Sequence, residues 1–158
     1  MLSRRNVEVC QDCKYTPNYH SFHLLTENDE ELYYYSCPAE TKYYNDPDGL
    51  YNHIRLILTT ISKPWIWVFN AAAYNIKHAT CFTLNSRLLQ LVSEYSGLNL
   101  KKIIIINQSF TMKMLVNFSW CYIPQRIKDK VVFDYRKHFA KLLLIDQKLA
   151  ILHERLTY

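Results

Sequence analysis

Pro64-Trp65-Ile66-Trp67-Val68-Phe69-Asn70-Ala71-Ala72-Ala73 holds six consecutive strand-forming residues, Trp65 to Asn70, between a proline and a run of alanines. The six carry no charge and do not alternate between apolar and polar. A strand with one wet face alternates; a strand covered on both faces does not, so this run predicts a doubly buried strand. Ile103-Ile104-Ile105-Ile106 repeats the pattern, and Lys130-Val131-Val132-Phe133 reads as a short third strand. Between these runs lie segments with helical spacing. Asp46-Pro47-Asp48-Gly49 opens the first, with Asp46 as N-cap and Pro47 at the position that has no N–H to lose. Leu50, Ile54, Ile57 and Ile61 then share a face, and Pro64 closes the segment. A second helix is predicted over about 79–96, with Leu84, Leu88, Leu91 and Tyr95 on one face and Gly97 at its C-terminal end. Ser109 is placed to cap a third, carrying Phe110, Met114 and Phe118. A last one runs over about 136–155 with Phe139, Leu142, Leu149, Leu152 and Leu156 inward.

Ahead of all this, His20–Leu25 and Leu32–Ser36 flank the acidic turn Glu27-Asn28-Asp29-Glu30-Glu31 and predict a β-hairpin. The order is a hairpin followed by α-β-α-β-α-β-α. Such alternation predicts an α/β fold: a mainly parallel sheet with an N-terminal hairpin and helices packed on it through right-handed crossovers. Residues 1–18 read as an irregular polar segment and 19–158 as one domain; 158 residues suit one core.

Three segments, in order, carry a resemblance. They are Trp65–Tyr74, Asn99–Phe110 (a lysine-flanked strand rising into Asn107 and a turn) and Ile123–Phe133 (a helical corner leading to the last core strand). Together with the hairpin and first helix, they resemble the CRAL-TRIO lipid-binding domain family, in its divergent, BCH-like branch, over roughly residues 19–140. The chain departs from the family at Asn70, where the usual residue is Asp, and at Ala72 and Ala73, where Gly is common. It lacks the N-terminal helical lobe and the C-terminal Gly-Gly signature. The resemblance implies burial of a hydrophobic ligand, a phospholipid or phosphoinositide, between the sheet and the terminal helices, with peripheral attachment to a membrane. It also implies an alternative, a protein-interaction scaffold that binds small GTPases or other protein partners without lipid.

The residues available for such a ligand can be named. Met112, Met114, Leu115 and Phe118 form an adaptable apolar set for a lipid tail. Residues 1–100 hold 8 Lys/Arg against 10 Asp/Glu, whereas residues 101–158 hold 11 against 4, so positive charge collects in the last third. Lys128, Lys130, Arg136, Lys137 and Lys141 are the candidates for an anionic head group or membrane surface. Lys137 falls near the place where the family resemblance puts a phosphate-contacting lysine.

Other chemistries find less. Only Gly49 and Gly97 occur, so no glycine-rich phosphate loop can be written. No cofactor is expected, and no serine sits in a glycine-flanked elbow. His78 and Cys81 fall one helical turn apart without an orienting third group, so an enzyme is not expected. Basic residues interleave with Tyr and Phe, but no nucleic-acid module fits and nucleic acid is not an expected partner. Cys10, Cys13, Cys37, Cys81 and Cys121 are an odd, scattered set with no secretory signal ahead of them, which predicts reduced thiols in a cytoplasmic protein. Cys10-x-x-Cys13 followed by His20-x-x-His23 has zinc-ligand chemistry. Strand alternation would send His20 and His23 to opposite faces, however, so no metal site is assigned.

Overall fold

The structure, a computed structural model, describes residues 10–16, 19–95 and 99–133. A five-stranded sheet forms its centre, with strands in the order β1-β2-β3-β4-β5, which is also their order along the chain. β1 (His23–Glu27) and β2 (Leu32–Ser36) form the antiparallel hairpin. Its turn is set by Asn28, whose side-chain oxygen accepts the N–H groups of Glu30 (2.9 Å) and Glu31 (2.7 Å). β2, β3 (Trp65–Asn70), β4 (Leu100–Ile106) and β5 (Val131–Val132) then pair in parallel. The α/β fold, the hairpin and the parallel sheet agree with the sequence.

Alternation along the strands divides the core in two. Tyr34, Trp65, Trp67 and Ile103 face one way and pack with Ile54, Ile57 and Leu58 of α2 (Pro47–Leu58) and Leu91 and Val92 of α4 (Phe82–Tyr95). Tyr33, Tyr35, Ile66, Val68, Ile104 and Ile106 form a second buried cluster on the opposite face. β3 is therefore covered on both sides. So is β2, all five of whose residues are buried.

Helix starts follow local chemistry. Asp46 caps α2 by accepting the Gly49 N–H at 3.1 Å, with Pro47 next in line. Ser109 caps α5 (Phe110–Ser119) by accepting the Met112 N–H at 3.0 Å. The helix expected over 79–96 is α4, which starts three residues later than read, and a separate short helix precedes it. α3 (Ile76–Ala79) begins at Asn75, whose side chain accepts the Lys77 N–H while His78 Nδ1 accepts the Asn75 N–H. This reciprocal cap starts a turn that ends at Thr80, and α4 begins afresh at Phe82. The segment read as irregular holds a short helix, α1 (Gln11–Tyr15), capped by the Cys10 thiol. α6 (Gln125–Lys128) leads to β5. Gly97 and the helix expected over 136–155 lie outside the described residues. No helix among the described residues is long and apolar enough to cross a membrane.

Two predictions follow from this packing. Ile104 is 1% exposed in the middle of β4, so Ile104→Ala should cost about 2–5 kcal/mol in denaturant unfolding; a loss below ~1 kcal/mol would show that the second cluster is not a packed core. Burial pushes the phenols of Tyr33, Tyr34 and Tyr35 up, Tyr34 to about 12, and the Glu31 carboxylate adds to the effect at Tyr33. The unfolded chain therefore releases these protons first, near the ordinary phenol value of about 10. Their contribution to stability is intact below that pH and is lost as pH rises above it. In an alkaline titration, phenolate absorbance from these tyrosines should appear together with loss of the circular dichroism signal. Titration of all 13 tyrosines near pH 10 in a folded protein contradicts it.

Candidate functional site

Two places in the fold gather chemistry-bearing residues. The first lies beyond the C-terminal ends of β4 and β5, where the segments leaving these parallel strands meet α5. An open crevice of about 410 Å³ is lined by Gln108, Lys113, Val116, Asn117, Trp120 and Phe133. Gln108 comes from the loop after β4. Lys113, Val116 and Asn117 stand three and four residues apart on α5 and so share a face. Trp120 and Phe133 close the far side with their rings 5.5 Å apart. Lys128 Nζ lies 5.9 Å from the Trp120 ring, so a cation leans on the aromatic wall. The Gln108 side-chain nitrogen is buried with no hydrogen-bond partner among the described residues. Phe110, the first residue of α5, is 78% exposed, and Tyr122, two residues after Trp120, is 83% exposed.

The tail-binding set falls differently from the sequence reading. Met112 is buried, Met114 is exposed and Leu115 is half-buried. None of the three lines the crevice, which meets the Lys113-Val116-Asn117 face of α5 instead. The Phe118 side chain lies outside the described residues. Of the basic set, Lys128 reaches the Trp120 ring of the crevice wall, whereas Lys130 donates to the Leu100 carbonyl at 2.6 Å and so ties the turn after α6 to β4. Arg136, Lys137 and Lys141 lie outside the described residues. Lys113 was not singled out in the sequence, where one lysine in an apolar helix gives no signal of its own.

The second place is the cysteine–histidine cluster. Cys10, at the start of α1, accepts the Cys13 N–H at 3.4 Å, and the Cys13 sulfur accepts the His20 N–H at 3.4 Å. The chain thus wraps around both thiols. His20 is buried, with Nδ1 at 3.4 Å from Cys10 Sγ and 3.8 Å from Cys13 Sγ. Its other nitrogen, Nε2, donates to Asp46 Oδ2 at 3.0 Å. The fourth member is His53 of α2. His53 Nε2 donates to the Phe22 carbonyl at 2.8 Å. That leaves Nδ1 with its lone pair, buried and without a hydrogen-bond partner. One ligand atom from each of the four residues lies within 4.8 Å of the others. Burial holds the His53 imidazole below its ordinary pKa, so the neutral ring is favoured. Burial, with the neighbouring Cys10 thiol adding to it, pushes the Cys13 thiol up to about 11.

His23 is not a member. It stands exposed on β1, its ring 5.4 Å from that of Tyr35. His20 and His23 are separated as expected, but not by strand alternation: His20 lies in the loop before β1, and His23 is the first residue of that strand. The replacement by His53 was not anticipated. His53 occupies a core-facing position of α2 beside Ile54, where a histidine reads as part of the apolar stripe. The other histidine–cysteine pair serves the backbone: His78 completes the α3 cap, and Cys81 donates to the Lys77 carbonyl at 3.3 Å. No protein-family model matches the chain, and a search of the curated proteins finds no similar chain.

Asp46 links cluster and core, since one carboxylate oxygen caps α2 and the other holds His20. Gly49 makes room for it, because a Cβ at that position would collide with the Asp46 carboxylate. Helix propensity alone makes Gly→Ala stabilising by up to about 1 kcal/mol. Here Gly49→Ala should destabilise by about 1–2 kcal/mol, the worth of a lost N-cap. Thermal unfolding of the variant checks the sign, and a raised midpoint contradicts the assignment.

Proposed function

We propose that the chain is a non-catalytic binding domain of the CRAL-TRIO type that takes an anionic amphiphile, a phospholipid or phosphoinositide, and associates peripherally with membranes. The crevice beyond β4 and β5 carries this reading. Its wall is split in a way that suits an amphiphile: Val116, Trp120 and Phe133 offer apolar surface, while Lys113, Asn117 and Gln108 offer donors. Ammonium and amide groups meet phosphate oxygens, and the aromatic pair meets the first carbons of a chain. Tyr122, exposed two residues after Trp120, is of the type that settles at a membrane interface, and exposed Phe110 at the start of α5 offers further apolar surface. The order of the three segments that resemble the family supports the same assignment, and the observed strands β3, β4 and β5 fall within them.

Those exposed aromatic residues also favour a second reading, in which this end of the sheet docks a protein partner, a small GTPase or another chain, as a BCH-type scaffold does. Aromatic side chains commonly anchor protein interfaces. The two readings differ in whether lipid is bound at all.

Vesicle pelleting of the full chain tests the first. Binding is expected to vesicles containing phosphatidylserine or phosphoinositide and not to neutral phosphatidylcholine. It should weaken with salt and fall at least tenfold in a Lys113→Glu, Trp120→Ala double variant. Binding indifferent to lipid charge, or a double variant that binds as the parent does, rejects the crevice as the head-group site. No lipid binding, together with a lipid-free mass in native mass spectrometry, leaves the scaffold reading.

A further inference from the structure

We propose that Cys10, Cys13, His20 and His53 bind one zinc ion in a closed tetrahedral site that fastens the N-terminal segment to α2. Four observations converge on it. The first is the donor set itself. Two sulfurs and two imidazole nitrogens are the chemistry of a structural zinc site, and four protein ligands leave no open position for catalysis.

The second is distance. Bond lengths of about 2.3 Å to sulfur and about 2.0–2.1 Å to nitrogen imply tetrahedron edges of roughly 3.3–3.8 Å. The Cys10–His20 and Cys13–His20 separations are 3.4 and 3.8 Å, and all four atoms lie within 4.8 Å of one another. The ion would draw the most distant atoms in by about 1 Å, a shift that side-chain rotation supplies.

The third is the outer layer. Ligating histidines almost always donate their other N–H to a carboxylate or a backbone carbonyl, which fixes the ring and leaves the lone pair on the metal side. Both partners are present here. His20 Nε2 is held by Asp46 Oδ2 at 3.0 Å, and His53 Nε2 by the Phe22 carbonyl at 2.8 Å. The sulfurs are similarly prepared, since the Cys13 and His20 N–H groups already point at them.

The fourth is the orphan. Buried polar atoms nearly always have partners, and an exception needs a reason. A hydrogen-bonded thiol–imidazole network accounts for His20 but leaves His53 Nδ1 with nothing. A Cys10–Cys13 disulfide leaves it equally bare, and no disulfide joins these residues. A cation among the four satisfies it.

The consequence is structural. α1 is too short to be stable alone. The ion would tie it to the loop before β1 through His20 and to the core helix through His53.

Metal analysis of the full chain, purified without chelator, should find close to one zinc per chain. Cobalt substitution should give thiolate-to-metal charge transfer with the spectrum of a tetrahedral ion, and X-ray absorption should resolve two sulfurs and two nitrogens. Cys10→Ser and His53→Ala should each weaken metal binding at least tenfold, while His23→Ala keeps it. A chelator should lower the melting temperature of the parent and leave that of Cys10→Ser unchanged. Should His53→Ala fail to fold, the absorption spectrum of the parent and the part-exposed Cys10→Ser variant still decide. Absence of stoichiometric metal with no cobalt uptake overturns the proposal. So does a Cys10–Cys13 disulfide in the purified protein, or a site that survives His53→Ala and is lost in His23→Ala.

Discussion

Burial on both faces is the constraint that governs this sheet. β2 and β3 have no side open to water, and β4 follows them through Ile103, Ile104 and Ile106. Polar atoms that enter these strands must therefore find partners within the protein, because an unpaired group in the interior costs several times what its hydrogen bond returns. The partners are present. Trp67 donates its indole N–H to Ser36 Oγ at 2.7 Å across the β2–β3 pair. Asn70 donates to the Tyr35 hydroxyl at 2.8 Å, while its carbonyl oxygen accepts from the Ala72 backbone and from Asn107. That network seals the ends of three adjacent strands. Asn107 reaches it from a left-handed backbone (φ 55°), a conformation that asparagine tolerates better than most residues. Asparagine at position 70 thus has a local use: an amide both donates and accepts, and a carboxylate could not donate to Tyr35.

Asp46 plays the matching part at the other side of the core. It is where secondary structure and side-chain chemistry share one group, since the helix cap and the histidine clamp are two oxygens of a single carboxylate. Gly49 is the backbone concession that makes this possible. Both residues are thereby bound to the fold and to the cysteine–histidine cluster at once.

Much of the fold was legible because it depends on local rules. Asp46-Pro47 marks the start of α2, and Ser109 that of α5, since capping needs only the residues on the spot. The uncharged run Trp65–Asn70 marks β3 with its bounds intact. The short helix α3 was missed because the Asn75–His78 cap that starts it is a reciprocal contact rather than a pattern. The sites were less legible for a related reason. Cys10, Cys13 and His20 are near in sequence and could be read together, but His53 joins them only when α2 folds across the hairpin. Its one signal was a histidine on an apolar helical face. The crevice combines residues from a loop, a helix and a strand end, and none of them is unusual where it stands in the chain.

Because neighbours in the sheet are neighbours in the chain, each described strand after β1 pairs with one that precedes it. As the polypeptide leaves the ribosome, each strand after β1 therefore has a neighbouring strand already synthesised. Synthesis from the N-terminus is slow compared with local folding, so growth from a finished edge limits the time that bare, sticky strands spend exposed in a crowded cell. For a chain whose inner strands are greasy on every side, the sequential winding is itself a protection against clumping.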